Sequence, residues 1–230
     1  MNNDLIASNI AKVLQQVSSA VEKYQREATS VTVMAVSKTQ SADAVRSAAA
    51  SGMSDFGENY LQEALEKIEA CNDLTLNWHF IGPIQSNKTR PIAAHFDWVH
   101  SVDREKVLRR LSEQRDPLLP PLNVCIQVNV SQESSKSGVA PDALPKLLDI
   151  AADLPNLCLR GLMAIPAPAT GFAAQKQSCD ALASLFTIAQ QEHPTMDTLS
   201  MGMSADLEAA VAAGSTMLRI GTAIFGARQV

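Results

Sequence analysis

The chain is 230 residues long, is 46% apolar, and sets 19 Lys+Arg against 24 Asp+Glu for a formal net charge of −5. That apolar content excludes a disordered chain. The mildly acidic balance, with no cluster of Lys and Arg, excludes a phosphate-neutralising grip on nucleic acid.

The first element is a helix. Leu5, Ile6, Ile10, Val13, Leu14, Val17 and Val21 recur at helical spacing, and the chain opens on Asn and Asp rather than on a basic region. This is an amphipathic helix and not a signal peptide. No run approaches about 18 uninterrupted apolar residues, so no membrane partner is expected and the cytoplasm is the expected compartment. Cys71, Cys125, Cys158 and Cys179 form no CxxC pair and lie in or beside apolar runs, as buried reduced thiols do.

Short apolar runs then alternate with helical stretches. The β-branched run VTVMAVSK predicts a first strand over 31–38, followed by a helix over 42–50 that Gly52 stops. A strand over 55–59 precedes a helix over 61–70, a strand over 77–82 and a helix over 86–95. The next strand, 97–103, leads to a helix over 104–115 and a Pro-rich turn. LNVCIQVNV, 122–130, is the clearest strand, and a polar loop over 131–138 separates it from a helix over 142–153. Strands over 159–166, 198–204 and 216–226 are separated by helices over 172–192 and 205–213. Eight strand candidates with a helix between each pair predict parallel strands joined by crossover helices. In a chain of this length that means an α/β fold of the closed (β/α)8 TIM-barrel type, for which about 250 residues are typical. The rival, an open doubly wound sheet, lacks its G-x-G-x-x-G fingerprint here. With no linker, repeat or low-complexity segment, the expected domain is 1–230, a single barrel with an extra N-terminal helix.

Active sites of such barrels lie at the C-terminal ends of the strands. Lys38 ends the first strand there. Desolvation or a neighbouring cation favours its neutral amine, the form that attacks a carbonyl. The seventh strand ends in Met201-Gly202-Met203-Ser204 just before a helix, and the eighth carries Arg219-Ile220-Gly221-Thr222. Glycines, a hydroxyl and a helix start after strands seven and eight suit a phosphate. Ser204 is equally suited to be a helix N-cap, since Asp206 and Glu208 follow it. A Schiff-base lysine opposite a phosphate anchor describes either a pyridoxal phosphate site or an aldolase acting on a sugar phosphate. HExxH, GxxxxGK[ST] and GxSxG are absent, the histidines show no metal-ligand spacing, and no metal is expected. His79 and His100 read as core histidines.

Seven ordered motifs carry a resemblance. AVSKTQ (35–40), FGENYLQE (56–63), WHFIGPIQSNK (78–88), SKSG (135–138), LRGLMAIP (159–166), LSMGMSADLEAA (199–210) and RIGTAIFGAR (219–228) look like the pyridoxal phosphate homeostasis protein family, whose members are similar to the barrel domain of alanine racemase. The resemblance implies pyridoxal 5'-phosphate held as a Schiff base on Lys38. It also implies phosphate contacts from Ser204, Gly221 and Thr222, Arg219 facing the ring nitrogen and Asn59 near the cofactor. Lys136 is a further candidate contact. The implied role is holding the cofactor and passing it to pyridoxal phosphate-dependent apoenzymes, without established turnover. Racemases of this type draw a second base from a separate domain. The chain reaches only Val230, so that base and the dimer it serves are not expected, and a monomer is. The alternative is a racemase-like enzyme of low activity.

Overall fold

The computed structural model describes residues 3–131 and 137–226. Eight parallel strands close into one barrel in sequence order: β1 (Thr32–Val36), β2 (Asp55–Glu58), β3 (Asn77–Phe80), β4 (Trp98–Val102), β5 (Leu122–Gln127), β6 (Leu157–Met163), β7 (Thr198–Ser200) and β8 (Met217–Ile220). β8 pairs with β1 in register, Met34 opposite Arg219 and Ala35 opposite Ile220, which closes the ring. Helices α2 (Ala42–Ala50), α3 (Leu61–Ala70), α4 (Thr89–His95), α5 (Glu105–Gln114), α6 (Leu144–Asp153), α7 (Phe172–Glu192) and α8 (Leu207–Ala212) return the chain between strands. The expected TIM barrel is therefore the observed one.

Two-residue alternation along the strands sorts their side chains. Outward residues form the main core under the helices: Phe56 of β2 meets Trp78 of β3 at a 5.8 Å ring separation, and Phe80 of β3 meets Phe96 edge-on at 5.3 Å. Inward residues are partly apolar, with Met34, Val36 and Met217 clustered against Ile81, and partly polar. Helix α1 (Asn3–Lys23) is the expected amphipathic one and buries Ile6, Ile10, Val13, Val17 and Val21. Full burial of such side chains is worth about 1.5–3 kcal/mol each. Polar contacts hold the helix and its exit in place: Asn9 Nδ2 donates to Ile224 O at 3.0 Å, and Arg26 Nη1 donates to Ser215 O at 2.6 Å.

All eight strands end short of the expected ranges, and three of these ends bear on the site. The first strand stops at Val36, so Lys38 lies in the turn after it. The seventh stops at Ser200, because Gly202 takes φ +95° and turns the chain toward α8. The eighth stops at Ile220, and residues expected to continue it form a short helix, α9 (Thr222–Phe225). Apolar Ala223, Ile224 and Phe225 satisfy both readings in sequence; helical backbone bonds from Gly226 N–H to Thr222 O and from Phe225 N–H to Gly221 O decide it. None of the helices among the described residues is long and apolar enough to cross a membrane. Cys71, Cys125 and Cys179 are buried free thiols and Cys158 is half-buried. Burial pushes the Cys179 thiol up to about 11, so it remains the unreactive protonated form at neutral pH.

Candidate functional site

Lys38 sits in a tight turn, Ser37 to Gln40, closed by Gln40 N–H donating to Ser37 O at 3.0 Å. Thr39, the third residue of the turn, has φ +66°. A turn of type II requires such a value there and favours glycine; a β-branched residue adopts it at a cost of roughly 1–3 kcal/mol. Helix α3 holds the strained turn from both sides. Lys67 Nζ donates to Ser37 O at 2.6 Å, and Thr39 N–H donates to Glu63 Oε1 at 2.5 Å. Lys67 also donates to Glu58 Oε1 at 2.7 Å and to Glu63 Oε1 at 2.6 Å, while Ser37 Oγ–H donates to Glu58 Oε1 at 2.6 Å. Burial pushes the Glu58 carboxyl up; Lys67 and Ser37 pull it back toward ionisation. The half-buried Lys38 is thus displayed by a turn whose two flanking peptide groups are both clamped.

Opposite the turn lies the start of α9. A cavity of about 40 Å³ is lined by Val36, Lys38, Thr39, Gln40, Gly221 and Thr222, with Phe225 and Gly226. A Cβ at Gly221 would come within 3.3 Å of Val36 O, so glycine lets β8 run close beside β1 here. The N–H groups of Thr222 and Ala223 open a helix and have no partner within it.

Arg219, on β8, is buried inside the barrel. Its Nη1 donates to Ser200 O at 2.7 Å and to Ser200 Oγ at 2.9 Å, and its Nη2 to Ala164 O at 2.8 Å. These partners are uncharged, and desolvation pushes the guanidinium down to about 10 against the partial offset of Asp206. It remains a cation at neutral pH, donating only.

The family model of the alanine racemase N-terminal domain matches residues 13–229. The pyridoxal phosphate homeostasis protein of Pseudomonas aeruginosa is 60% identical over 224 residues, 97% of this chain and 96% of that protein. The chain belongs to the pyridoxal phosphate homeostasis protein family. Within that family, PipY of Synechococcus elongatus, solved with pyridoxal phosphate bound, superposes with a TM-score of 0.84 at 36% identity over 96% of this chain and 100% of that one. Alanine racemase of Corynebacterium glutamicum superposes with a TM-score of 0.76 at 18% identity, over 99% of this chain and 62% of that one, and shares the barrel fold.

Of the residues expected for such a protein, Lys38, Gly221 and Thr222 line one cavity. Asn59 follows β2 at the same end of the barrel, and its Oδ1 is buried with no hydrogen-bond partner among the described residues. Ser204 does not join them: it is exposed and lines a separate groove of about 680 Å³ with Lys12, Gln16 and Lys23 of α1. Nor does it cap α8. Asp206 occupies that position and accepts from Met203 N–H at 2.6 Å. The β7–α8 turn is nevertheless tied to β8, since Arg219 N–H donates to Gly202 O at 3.0 Å. Lys136 lies outside the described residues. The clamp from Glu58, Glu63 and Lys67 has no signature of its own in the sequence. Its only trace is the i,i+4 pair Glu63/Lys67, which on an isolated helix reads as a solvated ion pair.

Proposed function

We propose that this chain holds pyridoxal 5'-phosphate at the C-terminal mouth of its barrel, covalently on Lys38, and passes it to dependent apoenzymes without turning over a substrate. The observation that carries the reading is the single cavity shared by Lys38, Gly221 and Thr222. Pyridoxal phosphate fits the residues present. It needs an amine, hydrogen-bond donors for a phosphate, and a donor for the ring nitrogen. Lys38 offers the amine. Thr222, its N–H and that of Ala223 offer the phosphate donors, whereas Ser204 faces the separate groove beside α1. Arg219, beneath the mouth, offers the third. Asn59 Oδ1 is a buried acceptor awaiting a donor, which a ligand hydroxyl could satisfy.

When bound, the cofactor supplies an aldehyde to which primary amines add reversibly. The chain's own residues orient the holder. Lys67 and Glu63 fix the two peptide groups flanking Lys38, so the backbone that carries the amine has little freedom left to lose when the ligand binds. The solved relative with the cofactor bound supports the binding. The racemase-like alternative rests on a shared fold alone and predicts exchange of solvent deuterium into amino-acid α-carbons.

Titration with pyridoxal phosphate followed by visible absorbance tests the proposal. The wild type is expected to bind with a new absorbance band. Lys38→Ala is expected to bind at least tenfold more weakly and without that band, through the phosphate contacts alone. Equal affinity in the two proteins would contradict the covalent role of Lys38.

A further inference from the structure

Five side chains from five strands form an unbroken hydrogen-bonded file through the barrel interior. Arg219 Nη1 of β8 is 2.9 Å from Ser200 Oγ of β7, which is 3.1 Å from His100 Nδ1 of β4. His100 Nε2 is 3.0 Å from His79 Nδ1 of β3, and His79 Nε2 is 3.0 Å from Asp55 Oδ1 at the start of β2. β4 and β7 are not neighbours in the barrel, so the Ser200–His100 contact crosses its lumen. Ser200, His100 and His79 are each 0% exposed. The file runs from the C-terminal ends of β7 and β8, beneath the mouth, to the opposite end of the barrel.

Its proton order follows from its ends. An arginine only donates, so Ser200 accepts from Arg219 and keeps its own proton available for His100 Nδ1. Neutral His100 then carries its proton on Nε2 and donates to His79 Nδ1. His79 likewise carries its proton on Nε2 and donates to Asp55. A carboxylate only accepts, which demands the same order from the other end. The reverse order would set a bare nitrogen lone pair of His79 against the Asp55 carboxylate. Burial disfavours the charged form of both imidazoles, and His79 and Arg219 add to this at His100.

We propose that Asp55, His79, His100 and Ser200 are positioning residues for Arg219, a one-directional relay that anchors its guanidinium to a carboxylate at the far end of the barrel. The relay explains how a buried cation whose direct partners are uncharged keeps one orientation: every dipole in the file points its negative end toward Arg219. Its use in cofactor binding rests on the reading of Arg219 as the group facing the ring nitrogen.

Two measurements test it. In protein selectively labelled with ¹⁵N-histidine, examined without cofactor, both His79 and His100 are expected as neutral Nε2–H tautomers at pH 7.5. An Nδ1–H tautomer or an imidazolium at either position would overturn the relay. In Ser200→Ala, the His100 Nδ1 signal is expected to shift as it loses its donor, and pyridoxal phosphate affinity to fall about tenfold, as loss of a hydrogen bond to a charged group does. A shifted His100 signal with unchanged affinity would overturn the positioning role. Should Ser200→Ala not fold, Asp55→Asn carries the same test from the half-buried end of the file, with weaker binding expected and unchanged affinity contradicting it. Failure of the wild type to bind the cofactor would sink the cofactor reading and leave the tautomer result standing, so the two failures are distinguishable.

Discussion

Lys38 owes its display to its neighbour Thr39, whose φ of +66° no β-branched residue adopts without restraint. The turn was not legible in sequence. VTVMAVSK reads as one extended run, and the positive φ becomes necessary only once β1 has to end beneath α3. Gly202 was legible as a glycine near a phosphate site, but its task is different. It takes φ +95°, and a Cβ there would come within 2.4 Å of Ala210 Cβ and 2.7 Å of Leu218 Cδ2. Gly202→Ala is therefore expected to lower stability by roughly 1–3 kcal/mol. Thermal unfolding would read this as a fall of about 2–4 °C for each kcal/mol in a chain of this size. An unchanged midpoint would show that the β7–α8 turn relaxes around the added methyl.

Helix α3 acts as a clamp on the turn that carries Lys38. FGENYLQE points to Asn59 as its functional member, whereas Glu58, Glu63 and Lys67 do the holding. What sequence spacing lacks is the register that sets α3 beside the β1 turn. Lys67→Met would remove the cation and leave the Glu58 carboxyl buried beside Ser37 alone. Breaking such a pair typically costs about 3–5 kcal/mol. The sign of its pH dependence follows from Glu58. Its carboxyl already lies above the ordinary glutamate value of 4.5 in the folded protein, and without Lys67 it rises further. The Glu58 part of the deficit relative to the wild type is therefore absent below the folded wild-type value, grows from there to the variant's higher value, and is complete above it, on top of a pH-independent part from the lost bond to Ser37 O. Urea unfolding of the variant and the wild type at pH 4 and pH 7.5 measures this; an equal deficit at both would contradict it.

The whole barrel was legible because its signal is distributed. Eight runs at regular spacing, each bounded by a helix, survive errors of a few residues at each end, and the barrel mouth follows from the topology. The polar interior was not legible. His79 and His100 read as core histidines, and only closure of the sheet brings them into line with Ser200 and Asp55. That interior has a consequence for the molecule. Both imidazoles are pushed down by burial, with Asp55 and Asp97 opposing this at His79 and Arg219 adding to it at His100. The unfolded chain takes up protons below about pH 6.5 and the folded barrel does not, so stability falls as pH drops through that value and is retained above it. Each neutral histidine contributes a slope of up to about 1.4 kcal/mol per pH unit. Thermal midpoints from pH 7.5 to 5.5 should decline accordingly, and a flat profile would contradict neutral burial. The central claim, that Lys38 carries the cofactor, is tested most directly by loading the protein with pyridoxal phosphate, reducing it with borohydride and mapping the modified peptide. The account predicts one pyridoxyl adduct, on Lys38. An adduct on another lysine, or none in a protein that binds the cofactor, would contradict it.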